Sequence, residues 1–255
     1  MHGRVDEAEE VVKDIEKQIG AQQALPASPP KVNLEVKGAV DFRAIVDVLL
    51  KKHPKRTVLG LTLMIAQAFA YNGVFFTYSL VPSRFYGAPS NRVGLDLLPF
   101  AISNLIGPLV LGPLFDAWGR RVMIALTYGT SAVLLWVTGY GFLRGWFTAT
   151  TQTVMWAAMF FVASAAASSA YLTVSELFPV ELRGMAIALF YAVGTAAGGL
   201  ADPALFGALV GTGQRVNVFS GYLVGAALMA IAALVSVAWG VSAERKSLEQ
   251  LTEMA

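Results

Sequence analysis

Six long apolar stretches, at about 57–80, 94–115, 122–142, 151–174, 185–210 and 218–241, dominate the chain. Each is long enough to cross a bilayer as a helix, which takes roughly 20 residues. Apolar residues occupy every face of these runs, so the period-two alternation of a half-buried strand is absent. In lipid the backbone must satisfy its own hydrogen bonds, and isolated spans of this length do so only as helices. The expected fold is therefore an all-α membrane protein with six transmembrane helices. The balance of residues agrees: 56% are hydrophobic and 14% charged, with mean hydropathy +0.59, whereas soluble domains carry about a quarter charged residues.

The charges collect in the first 56 residues, the last dozen and the short turns. Lys51, Lys52, Lys55, Arg56, Arg120, Arg121, Arg183, Arg245 and Lys246 fall on one side of the six runs. Arg84, Arg92, Arg144 and Arg215 fall on the other. The richer side is expected to be cytoplasmic, which puts both termini inside. Three regions follow: a cytoplasmic helical and linker segment at 1–56, the six-helix bundle at 57–241 and a cytoplasmic tail at 242–255. Within the first, Val5, Ala8, Val12, Ile15 and Ile19 mark one face of an amphipathic helix. PASPP at 26–30 breaks it. A second short amphipathic helix is expected around Phe42, Ile45, Val46, Leu49 and Leu50. No signal peptide is visible, because the acidic start lacks a basic region followed by an apolar core.

Several function classes drop out. A net charge of +2 gives nucleic acid no basic patch. The chain has no cysteine, and its two histidines, His2 and His53, lie in polar segments away from any acid cluster. No metal site or cofactor is expected. An intramembrane enzyme is disfavoured too, because no His or Cys lies in a span and no two acids sit close enough to share acid–base work.

Two turns carry the chemistry: GPLFDAWGRR at Gly112–Arg121 and SELFPVELRG at Ser175–Gly184. Each places an acid and basic residues at the same membrane edge. Asp116 ends one span and Arg120 and Arg121 begin the next, while Glu176 and Arg183 do likewise in the second turn. Charge-assisted pairs among them would hold that edge shut and break when it opens. Gly119 permits the tight turn. The plainer reading is that Arg120 and Arg121 only follow the positive-inside bias.

These residues resemble a known family. GPLFDAWGRR is similar to the G-x-x-x-D-x-x-G-R-R loop signature of the major facilitator superfamily. SELFPVELRG resembles the E-L-F-P-x-x-x-R-G segment of its sugar-porter and related metabolite branches. GRVDEAEEVVKDIE, at the start, resembles the intracellular helical segment before the seventh helix of those proteins, and ERKSLEQL a shortened form of their ending. The likeness spans nearly the whole chain but matches only the second half of the usual twelve helices, whose substrate path runs between two six-helix halves. It implies the C-terminal half of a secondary transporter working by alternating access, more in keeping with a fragment than with a native half. The partners implied are a small polar organic solute, the lipid bilayer, an N-terminal six-helix half and, as an option, protons. The implied location is the plasma membrane. In the family the charges of the two turns cross-link helix ends.

The same resemblance nominates substrate residues. Gln67 and Asn72 match the Q-x-x-x-x-N pattern of the sugar porters' seventh helix, where amides bond sugar hydroxyls, and Asn104 falls where another substrate-facing Asn occurs. Amides suit polyols because each both donates and accepts. The alternative role of all three is bonding between helices. Departures are clear. Tyr171 replaces a Trp five residues before Glu176, Ala163 replaces a glutamate, and Gly194 and Gly198 stand where a sugar-contacting Asn would be. Tyr171 at that spacing resembles organic-ion and metabolite:proton transporters, so an organic acid or ion stands beside a sugar or polyol as solute.

Asp202 is the one ionisable residue deep in the sequence of an apolar span. Such a group marks an ion or proton path. Against this, about 17 residues from Met185 at 1.5 Å each give about 26 Å, which places it near the outer mouth, where a carboxylate is hydrated. Gly194, Gly198, Gly199, Gly207 and Gly211, like the Ala and Ser at 163–170, are expected to let helices pack closely. Flexing of the fifth span around Pro203 is a second option. The competing function is a transport-incompetent scaffold or accessory half that binds a partner chain.

Overall fold

The computed structural model describes residues 9–14, 17, 46–89, 97–178 and 180–240, with the backbone alone at Ser79, Val180 and Glu181. The 26–30 linker, Asp96, Phe42, Ile45, the tail from 242 and most of the first amphipathic segment lie outside these residues. The chain divides into two compact units, Met1–Val40 and Asp41–Ala255. In the first, residues 9–14 are helical and exposed.

The second unit holds the expected bundle, and no strand occurs among its described residues. A π-helical turn at Val48–Lys52 leads into α1 (Pro54–Tyr86), followed by α2 (Leu98–Ala117), α3 (Arg120–Arg144) and α4 (Ala149–Leu177). The fifth run forms α5 (Val180–Thr195), a π-helical turn at Ala196–Leu200 and α6 (Ala201–Gly211), and α7 (Arg215–Trp239) closes the bundle. Six of these stretches are long and apolar enough to cross a membrane.

Local chemistry sets the ends. Pro54 opens α1, where its missing N–H costs nothing. Thr148 caps α4 reciprocally: its hydroxyl accepts from the Thr151 N–H and its own N–H bonds the Thr151 hydroxyl at 2.8 Å. Gly119 joins α2 to α3 at φ 95° and ψ 141°, a conformation closed to side chains with a Cβ. The fifth span is not the single uniform helix its hydropathy suggests. Pro203 lacks an N–H and its ring crowds the carbonyl four residues back. One widened turn just before it absorbs the defect.

Helix α1 is central and packs on α4, α5, α6 and α7, while α2 lies on α4 and α3 lies between α4 and α7. Small residues draw these helices together. Gly194 and Gly198 press against the α1 backbone: a Cβ at Gly198 would stand 2.6 Å from the Ala68 oxygen and 2.7 Å from the Phe69 nitrogen. The buried Ala163, Ala166 and Ala170 of α4 do the same work in the core. Trp156, Tyr128, Tyr222, Phe142, Phe190 and Phe206 fill the remaining space. The Tyr128 hydroxyl donates to the Leu63 carbonyl at 3.0 Å, tying α3 to α1.

Burial is uneven. Only 11% of the apolar stretch of α2 and 22% of that of α5–α6 are buried, against 61% for α1 and 56% for α4. The two open spans flank the α1–α4 pair.

Candidate functional site

Gln67, Tyr71 and Phe75 recur at intervals of four on α1, so they share one helix face. The Tyr71 hydroxyl donates to the Asn104 side-chain oxygen of α2 at 2.7 Å. Its ring lies 4.6 Å from that of Phe160 on α4, and its hydroxyl stands beside Ser164. One turn away, Gln67 is buried and approaches the Tyr171 hydroxyl of α4. The Tyr171 ring meets that of Tyr191 on α5 at 6.2 Å, and Tyr191 is half exposed. Three of the four residues nominated from sequence thus fall along one strip of amides and phenols between the two open spans. Asn104 is exposed and Tyr171 half-buried. Asn72 lies about 100° round α1 from Tyr71, and its amide nitrogen folds back onto the Ala68 carbonyl at 2.8 Å.

Tyr71 was not among the nominated residues. Its signal was present in the sequence, since it lies four residues after Gln67, but only the placement of α2 reveals the bond to Asn104. Gly194 and Gly198 acquire a structural reason as well. They form the seam with α1, and side chains there would run into α1 backbone instead of reaching a solute.

Asp202 is fully buried beside the Gly73 backbone of α1. Neither carboxylate oxygen has a hydrogen-bond partner among the described residues. The expectation of a hydrated carboxylate at an outer mouth is corrected here. Rise along a helix gives depth but not direction, and Asp202 turns into the bundle. Phe206, one turn further, packs against Gly73 and Gly221 and seals the surroundings with apolar surface.

At the edge carrying the two signature turns, Arg120 and Glu176 form an ion pair that joins the start of α3 to the end of α4. Asp116 and Arg120 line one side of a cavity of about 140 Å³ between α2, α3 and α4, whose other wall includes Ser168, Ser169 and Thr173. Arg121 turns elsewhere and donates to the Val237 carbonyl near the end of α7. The Arg183 Nε is buried and without a hydrogen-bond partner among the described residues. Sequence reading also missed Arg56, which donates to the Leu177 carbonyl at 2.6 Å and so clasps the end of α4 to the start of α1. Beside it the His53 ring meets Phe178 edge-on at 6.2 Å. Burial, with Arg56 and Lys52 nearby, holds the His53 imidazole below its ordinary pKa of 6.5.

At the opposite edge Arg215 lies against the rings of Phe85, Tyr86 and Phe142, at 5.8, 5.4 and 4.9 Å, and donates to the Phe142 carbonyl at 2.7 Å. It pins the ends of α1, α3 and α7 together, with no acid paired to it among the described residues.

No group of three or more metal-ligating side chains occurs among the described residues. The family model described as sugar (and other) transporter matches residues 1–255. No curated protein matches the chain.

Proposed function

The chain belongs to the sugar (and other) transporter family, a family of membrane transporters, and on that premise we propose that it carries a small polar organic solute by alternating access, as the C-terminal six-helix half of a major-facilitator transporter. One observation carries this reading: the strip of Gln67, Tyr71, Asn104 and Tyr171, built from α1, α2 and α4 and left open between the least buried spans. Amides and phenols offer donors and acceptors without charge, which suits a sugar or polyol more than an organic acid. The N-terminal half covers the open α2 and α5 faces, in the same or another chain, and completes the solute site.

Asp202 is the coupling candidate. A carboxyl buried inside the bundle can take up a proton or a cation in one state of the cycle and release it in another. The Arg120–Glu176 pair, with Asp116, Arg121 and Arg183 around it, acts as the gate on the cytoplasmic side. The Lys and Arg bias supports placing that edge and both termini in the cytoplasm, and the family resemblance supports placing the bundle in the plasma membrane. Residues 1–56 then serve as the cytoplasmic segment between halves, and 242–255 as a cytoplasmic tail.

The test is uptake of radiolabelled sugars and polyols into proteoliposomes holding the assembled transporter. Gln67→Ala and Asn104→Ala should each raise KM about tenfold, the loss expected when one or two hydrogen bonds to a solute disappear. Unchanged KM in both variants would remove the strip from the solute path. An assembly that folds but transports no solute would favour the accessory-half alternative.

A further inference from the structure

We propose that the groove between the signature-edge ends of α3 and α7 binds an anionic phospholipid of the adjoining leaflet. The groove holds about 530 Å³ and is lined by Trp118, Gly119, Arg121, Val122, Leu126 and Val237. It lies on α3 and α7, away from the α1, α2 and α4 residues of the polar strip. Its occupant is specified at two levels.

At the mouth the chemistry is positive. Arg121 is exposed and bonds the Val237 carbonyl with one nitrogen. It pairs with no carboxylate among the described residues, and its exposed guanidinium carries further N–H donors beyond the one that bonds Val237. Helix α3 starts directly beside it with no side-chain cap and no acid in its first turn. The start of the helix adds the positive end of its dipole. Asp116, the nearest acid in sequence, lines the separate cavity with Arg120 and not this groove. A phosphate diester carrying a net negative charge satisfies both features.

Below the mouth the walls are apolar. Val122 and Leu126 lie on successive turns of α3 and are about half exposed, as is Val237 opposite them on α7. This strip matches an acyl chain descending from the headgroup. Trp118, 60% exposed at the rim, stands where an indole marks the boundary between headgroups and hydrocarbon. A zwitterionic lipid offers the same phosphate but brings a cation to Arg121, so net negative charge is the discriminating property.

The test uses the full 255-residue chain in neutral detergent, titrated with phosphatidylglycerol or phosphatidylcholine, with melting temperature and native mass spectrometry as readouts. Phosphatidylglycerol should bind and raise the melting temperature, and phosphatidylcholine should do so about tenfold more weakly. Arg121→Gln should erase that preference. Leu126→Trp, which fills the groove and touches no polar contact, should abolish binding of both lipids. Arg84→Gln, an exposed cation at the other edge, should change nothing. If Arg121→Gln lowers stability through its lost bond to Val237, Leu126→Trp decides alone. Equal binding of the two lipids would overturn the proposal. So would retention of the preference in the folded variants, or reproduction of the whole effect by inorganic phosphate.

Discussion

Replacing Gly198 by Ala tests the packing that sets the fifth span against α1. The added methyl would lie 2.6 Å from the Ala68 oxygen and 2.7 Å from the Phe69 nitrogen. Both are backbone atoms held in the α1 ladder, so no side chain can swing aside, and the helices must part by most of an ångström. Overpacking of this kind costs about 1–3 kcal/mol. Separating the seam also loosens the neighbouring contact of Gly194 with Met64, so the upper half of that range applies. Two kcal/mol is a factor of about 30 in the ratio of folded to unfolded protein. Gly207→Ala is the internal control, because nothing lies within 4 Å of a Cβ there. It should be neutral or slightly stabilising through helix propensity, by up to about 1 kcal/mol. Thermal unfolding of the two variants in detergent, followed by tryptophan fluorescence and by protease sensitivity, makes the comparison. Gly198→Ala should melt several degrees below Gly207→Ala. Equal melting temperatures would refute the close approach of the fifth span to α1, and with it the explanation for glycine at 194 and 198.

Other consequences are open to simple measurements. Asp202→Asn should leave the bundle folded, since the amide keeps the shape without the charge, and should abolish uptake driven by a pH gradient; persistent gradient-driven uptake would exclude Asp202 from coupling. His53 has a folded pKa below 6.5, so the unfolded chain binds more protons as pH falls through about 6.5, and stability should drop between pH 7.5 and 5.5. His53→Phe, scanned over the same range, should flatten that dependence. Tyr71→Phe should cost about 1 kcal/mol through the bond to Asn104 and weaken solute binding further. Arg120→Gln should change stability by less than about 1 kcal/mol, because the pair with Glu176 is partly exposed, yet should shift accessibility at that edge as read by a cysteine-reactive probe placed in the turn.

Most of the scaffold was legible along the chain because the forces that make it are local. Apolar length sets how many helices cross a membrane, so the six spans could be counted from hydropathy alone. Turn chemistry fixed the α2–α3 joint at Gly119, and most of the positive charges fall on the side of the signature turns. Pairing across spans was partly legible: acid and base recurring in both turns pointed to Arg120 and Glu176, while the family resemblance pointed to Gln67, Asn72 and Asn104, of which Asn104 bonds across spans to Tyr71 and Asn72 bonds within its own helix.

What the sequence left open was rotation and neighbourhood. A helix apolar on every face gives no sign of which side meets protein and which meets lipid, because lipid tails are as apolar as leucine. Hence the sequence left Asp202 open between an ion or proton path and a hydrated outer mouth, while the fold buries its side chain within the bundle. Hence also Tyr71 showed no special mark until α2 brought Asn104 within 2.7 Å. Arg56 and Arg121 read as two more positive charges, and only the docking of α4 and α7 gives each a carbonyl to hold. The sequence by itself determined how many stretches are long and apolar enough to cross a membrane, about where they lie and which turns carry the signature charges. The tertiary structure decided which faces meet, because in a membrane that choice rests on close packing at glycines and on single buried hydrogen bonds, and both depend on residues far apart in the chain.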